Sequence, residues 1–125
     1  MIKSLVSLAS ALFTIGAMAD PPICDPAMMD QAWNQCAVCH SVVAGDTTKF
    51  GPNLNGVLGR RSGSLPGYVF SPAMAKSYLT WTRSTLDVFL RGPQLLVPDS
   101  RMPFGALRDA QMRSNIICKL ANSNH

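Results

Sequence analysis

Several things are missing from this chain, and each absence removes a class of function. Glutamate is absent altogether: the seven acidic residues are all aspartate. No basic run is longer than Arg60-Arg61, so a nucleic-acid reading lacks its electrostatic footprint. Histidine occurs only as His40 and His125, which narrows internal imidazole chemistry to one position. There is no internal repeat and no low-complexity segment. The one pronounced apolar stretch, at the N-terminus, falls short of the roughly 18 to 20 residues that span a bilayer.

That stretch has a different meaning. Lys3 provides a short positive region, residues 5–15 an apolar core, and Ala17-Met18-Ala19 an A-x-A cleavage site before Asp20. Together these read as a Sec-type signal over residues 1–19, removed on export; the rival reading is a single retained anchor. Residues 20–125 remain, enough for one small domain. Loss of Lys3 takes the formal charge from +4 to +3. The sequence does not place that charge on one face.

Four cysteines are present. Cys36 and Cys39 belong to Cys36-Ala37-Val38-Cys39-His40, and a C-x-x-C-H run is the attachment site of a c-type haem. Two thiols at this spacing each bond one vinyl group, and the adjoining imidazole becomes the proximal iron ligand. The competing use of C-x-x-C, thiol–disulfide exchange, expects a βαβ context with a preceding strand, whereas a capped helix precedes this motif. Two haem propionates would nearly cancel the residual positive charge. Cys24 and Cys118 stand at the two ends of the exported chain. In an oxidising compartment they are expected to pair; the alternative is two buried free thiols.

Asp25-Pro26 is a helix start, with Asp as N-cap and Pro in the first position. Ala27, Met28, Ala32, Trp33 and Cys36 follow at near-helical spacing, so one apolar face runs into the haem motif. Residues 41–67 are punctuated by glycine and proline with neither strand alternation nor helical period. A loop that long is reasonable when a rigid flat cofactor fills the space. Ser71-Pro72 opens a short helix to about residue 77. Thr82 or Ser84 caps another, stopped by Gly92-Pro93. Residues 94–106 read as loop, and a last helix covers about 107–121, with Asp109 in its first turn and Met112, Ile116, Ile117 and Leu120 as its apolar stripe. Cys118 lies off that stripe and is free to meet another segment.

For a sixth iron ligand, His125 is poorly placed at a terminus. Met28, Met29, Met74 and Met112 lie on helices and read as core packing. Met102 lies instead in the irregular run Pro98-Asp99-Ser100-Arg101-Met102-Pro103-Phe104. A thioether in a proline-fixed loop suggests a positioned ligand, with gap-filling in a core as the alternative.

The ordered set of C-x-x-C-H, Gly51-Pro52-Asn53-Leu54-Asn55-Gly56-Val57-Leu58-Gly59-Arg60, Trp81 and the Met102 run resembles the class I cytochrome c family. The branch is that of mitochondrial cytochrome c and bacterial cytochrome c2 or c550. The resemblance implies an all-α cytochrome c fold of about five short helices and long loops around one covalent haem. It implies that Met102 is the second axial ligand beside His40, and that the Pro52 carbonyl holds the His40 ring. Arg60, Trp81 and Ser100 fall where the family places groups near the propionates, with Tyr68 in the loop beneath the same edge. A buried carboxylate needs such donors or cations. In the resembling fold the first and last helices cross, which would bring Cys24 and Cys118 together.

The departures are specific. Phe70 and Phe89 stand where the mitochondrial branch has tyrosines, which makes that side drier. Ala32 replaces the first-helix aromatic, with Trp33 adjacent. Only Lys49, Lys76 and Lys119 remain of the lysine clusters that typify docking faces.

The expected function is a soluble periplasmic one-electron carrier with a six-coordinate His40/Met102 haem c. It is not an enzyme, works as a monomer through transient docking to redox proteins, and neither binds nucleic acid nor inserts stably in a membrane. One alternative is a catalytic or gas-binding haem protein, which requires Met102 to be absent from the iron or labile. The other is a dedicated electron-accepting subunit of a periplasmic dehydrogenase.

Overall fold

The computed structural model describes residues 23–103 and 106–124. The leader over residues 1–19, Phe104 and His125 lie outside the described residues. Five helices follow in order: α1 (Pro26–Ala37), α2 (Pro72–Ala75), α3 (Arg83–Arg91), α4 (Pro93–Leu96) and α5 (Ala110–Asn122). Among the described residues there is no strand, only an isolated antiparallel bridge between Arg61 and Thr80.

The helix starts are set by side chains that satisfy orphan N–H groups. Asp25 accepts from the Ala27 amide, Ser71 from Met74, Thr82 from Thr85 and Asp109 from Met112. Of the two candidates for α3, Thr82 is the cap, in a reciprocal box with Thr85. Asp109 is itself the N-cap of α5, not a first-turn residue, so this helix begins at Ala110, later than the expected 107. Pro93 also does more than end α3. It opens the single turn α4 inside the stretch expected to be loop, because its fixed φ suits a first helical position.

α1 packs against α5, and α3 against both α4 and α5. Between them lie Trp33, Val57, Trp81, Leu86, Phe89, Leu90, Val97, Ile116, Ile117 and Leu120, all buried. The methionine assignments need correction. Met74 packs against this core, but Met28 and Met112 are each 39 % exposed and are not core residues. α5 also carries polar anchors. Arg113, 4 % exposed, donates to Asp87 at 2.7 Å, to Leu107 O at 2.7 Å and to Arg108 O at 2.9 Å. Asn115 accepts from the Asp25 amide, and Gln111 donates to Ile23 O. Cys118 is buried beside them and is bonded to Cys24, with Cα atoms 5.9 Å apart. Gln111, Asn115 and Cys118, one stripe of α5, therefore tie down the start of α1.

The long loop is held by its own polar groups. Gly59 N donates to Trp81 O, Trp81 N to Arg60 O and Ser62 N to Leu79 O. Ser62, 1 % exposed, accepts from Leu79 N and from the Ser77 hydroxyl. No helix among the described residues is long and apolar enough to cross a membrane.

Candidate haem site

The C-terminus of α1 presents the C-x-x-C-H run. Cys39 N and His40 N both donate to Cys36 O, at 3.0 and 2.8 Å, and Lys49 Nζ donates to Ala37 O at 2.8 Å. Carbonyls left over at the helix end are thereby satisfied, one of them by a cation, as the helix dipole favours. The Cys36 and Cys39 thiols are not joined to one another. Burial, with a smaller contribution from neighbouring Cys39, pushes the Cys36 thiol up to about 11. A thiol raised in this way is the opposite of the low-pKa thiol of an exchange motif.

His40 Nδ1 lies 2.8 Å from Pro52 O. A carbonyl can only accept, so Nδ1 carries the proton and Nε2 is the lone-pair nitrogen. Burial lowers the His40 pKa, and the Pro52 carbonyl partly opposes it, which favours the neutral imidazole that ligates metals. Nε2 makes no hydrogen bond among the described residues and is not sealed away. Gly51 explains how Pro52 comes so near. Its amide donates to Cys39 O at 2.7 Å, and a Cβ on Gly51 would stand 2.6 Å from His40 Cε1 and 2.8 Å from Nδ1. Only glycine allows the chain to lie against the ring.

The other expected residues fall around this centre. Arg60 sends one guanidinium N–H to Asn53 O at 3.0 Å and another to Asn55 O at 2.6 Å. Its charge is half-buried, and burial lowers its pKa. It clasps the loop from within, a contact with no signature in the sequence. Asn55 continues the clasp, donating to Val42 O and to Ser123 O of the α5 cap. Tyr68 reaches Phe50 O at a long 3.4 Å and meets the Phe70 ring edge-on at 4.8 Å. Trp81 is buried against Phe89, with ring centroids 5.0 Å apart. Its Nε1 makes no hydrogen bond among the described residues and, like His40 Nε2, is not fully enclosed.

Ser100 and Met102 form a second group. Ser100 is buried and Met102 half-buried against the core cluster. Both are fastened by Gln94, a residue that sequence reasoning passed over as part of a loop. Arg101 Nη1 donates to Val69 O at 3.2 Å, connecting this group to the loop that carries Tyr68.

The residues present fit a covalently held haem: two free thiols flanking one helix end, an imidazole with its outer nitrogen left open, and a half-buried thioether on a separate loop. No family model matches the chain. Curated relatives do. It is 36 % identical over 118 residues to cytochrome c2 of Blastochloris viridis, covering 94 % of this chain and 93 % of that one. It is 41 % identical over 102 residues to cytochrome c2 of Rhodomicrobium vannielii, covering 80 % of each. Cytochrome c of Kluyveromyces lactis is 39 % identical over 83 residues, 66 % of this chain and 76 % of that one. The chain belongs to the class I cytochrome c family: it has the all-α cytochrome c fold, carries covalently bound haem c, and transfers electrons instead of catalysing a reaction.

Proposed function

We propose that this protein is a periplasmic one-electron shuttle whose iron is held by His40 and Met102. Cys36 and Cys39 form the two thioether bonds. The observation that carries the reading is the His40 geometry: Nδ1 fixed at 2.8 Å on the Pro52 carbonyl, with Gly51 packed against the ring. When bound, haem c supplies the ferric/ferrous couple, and the chain's work is to orient and seal it. His40, through Nε2, and Met102, through its thioether, would hold the iron. Arg60, Tyr68, Trp81 and Ser100 would supply charge and donors to the propionates. Phe70 and Phe89 bring apolar surface where hydroxyls would otherwise stand. A thioether ligand in a dry setting favours the ferrous form and raises the potential.

Residues 1–19 direct export and are removed, and the Cys24–Cys118 bond persists in the oxidising compartment beyond. The carrier is a monomer that docks transiently with its redox partners. The test is a spectrum of purified holoprotein. The expected result is a far-red Fe–S charge-transfer band in the ferric state, lost in Met102→Ala. A ferric protein without that band, which binds carbon monoxide readily when reduced, would overturn the reading in favour of an open-site haem protein. Elution of native extract as a fixed large complex would overturn the shuttle in favour of a dehydrogenase subunit.

A further inference from the structure

We propose that Gln94 is the positioning residue for the Met102 loop, an inference that rests on Met102 being an iron ligand. Its side-chain nitrogen donates to Ser100 O at 2.9 Å, to Ser100 Oγ at 3.1 Å and to Met102 O at 3.3 Å. An amide nitrogen has two hydrogens, so these acceptors share them, and a single side chain spans the ligand residue and the one two positions before it.

The base from which Gln94 reaches is rigid. It is the second residue of α4, whose first residue Pro93 is buried. Leu95 N and Leu96 N donate to Gly92 O, and Val97 N to Pro93 O. Val97, 2 % exposed, anchors the turn in the core. The chain then reverses through Asp99, which adopts a left-handed φ of 64°, and Ser100 N closes back on Val97 O at 3.1 Å. That reversal brings the Ser100 and Met102 carbonyls within reach of the α4 side chain.

The bond to Ser100 Oγ has a second consequence. A Gln Nε2 can only donate, so the Ser100 hydroxyl accepts there and its own hydrogen is turned elsewhere. Gln94 thereby leaves the hydrogen of the buried Ser100 hydroxyl free for another acceptor. It fixes the hydroxyl's polarity and the position of the thioether together.

The test measures ligand exchange at the iron. Exogenous imidazole is titrated into ferric holoprotein while the Fe–S band and the denaturant midpoint are followed separately. With the Gln94 donors removed in Gln94→Ala, apparent imidazole affinity should rise about tenfold, the scale of one net hydrogen bond. Gln94→Glu should raise it further, since a carboxylate would face the two carbonyl oxygens of Ser100 and Met102. Gln94→Lys, which keeps donors, should stay within about twofold of wild type on the same scale. The denaturant midpoint should hardly move. If wild type shows the band and all three variants bind imidazole equally well, or change only in proportion to a lowered midpoint, Gln94 does not position the loop. A wild-type protein with no band, indifferent to Met102→Ala, overturns the Met102 assignment and this inference with it.

Discussion

The two sides of the site are built by opposite means. On the His40 side, a web of backbone and part-buried side-chain bonds closes the loop on itself and reaches the end of α5: Gly51 to Cys39, Leu54 to Ser41, Arg60 to Asn53 and Asn55, Asn55 to Ser123. On the Met102 side, the fastening is peripheral. Gln94 and Arg101 are both exposed, and Asp99 holds a left-handed conformation that a non-glycine residue adopts only at a cost. A network that crosses the chain can yield only by unfolding the domain. A loop held by two surface side chains can move while the rest stays folded. The His40 side is thus tied to global stability, and the Met102 side has stability of its own.

The largest expected effect breaks the global half of that contrast. The Cys24–Cys118 link closes a sequence separation of 94 residues, and it fastens α5 to the N-terminus of the helix that leads into His40. Replacing both cysteines with serine should lower the unfolding free energy by about 4 to 5 kcal/mol, on the chain-entropy view of cross-links. Denaturant unfolding of the holoprotein measures it. The Fe–S band of the still-folded double variant should be unchanged, because the Met102 loop is fastened elsewhere. A band that fades well before the fold does would mean that the two sides are coupled more closely than their contacts indicate.

Gly51→Ala attacks the His40 side directly. The added methyl meets the ring at 2.6 Å and Cys39 O at 2.8 Å, and neither neighbour is the loose end of a flexible chain. Overpacking of this kind costs about 1 to 3 kcal/mol. Because it displaces the Pro52 carbonyl from Nδ1, it should also shift the midpoint potential, which a purely structural defect elsewhere would leave alone. Potentiometric titration beside a melting curve separates the two effects.

A smaller change sharpens the distal half. Asp99→Gly removes the side chain that disfavours φ of 64°, a relief of about 1 kcal/mol offset in part by the entropy glycine adds to the unfolded chain. Net stability should move by less than about 1 kcal/mol. Imidazole exchange should respond more than the melting curve does, since the strain sits in the loop alone.

Much of this was legible because it is local. Asp25-Pro26, Ser71-Pro72 and Thr82 each mark a helix start by a side chain within a few residues of the amide it caps, and C-x-x-C-H carries its chemistry in five consecutive positions. What stayed hidden depends on distance in space. Nothing in the sequence around Gly51 says that an imidazole lies against its Cα. Arg60 reads as a surface or propionate cation, and its clasp on two carbonyls exists only once the loop has closed. Gln94 is close in sequence to its acceptors, but it was masked by Pro93, which looked like a terminator and proved to start another turn. Met28 and Met112 read as core because helical periodicity identifies a face without saying what covers it.

The smallest effect tests how firmly the proximal loop is set, and it is read by pH. Asp46 accepts from the Thr48 hydroxyl at 2.6 Å and from the Thr48 amide at 2.9 Å, and its carbonyl accepts from Asn53 in the same loop. The Thr48 hydroxyl and then its amide, helped by Ser41, hold the carboxyl down to about 2. A carboxylate depressed in the folded state stabilises it above the ordinary value near 3.9, and that contribution fades as pH falls through the folded value. Stability should therefore be flat in this respect above about pH 4 and decline toward pH 2. Thr48→Ala should raise the Asp46 carboxyl toward its ordinary value, as read from its side-chain carbon shift in NMR, and flatten the acid limb. Asp46 is fully exposed, so the energy at stake is small, but the titration is local. If Thr48→Ala leaves the Asp46 value unmoved, the turn that leads into Gly51 and Pro52 is not held by this pair, and the firmness of the His40 side comes from the Arg60 and Asn55 clasp instead.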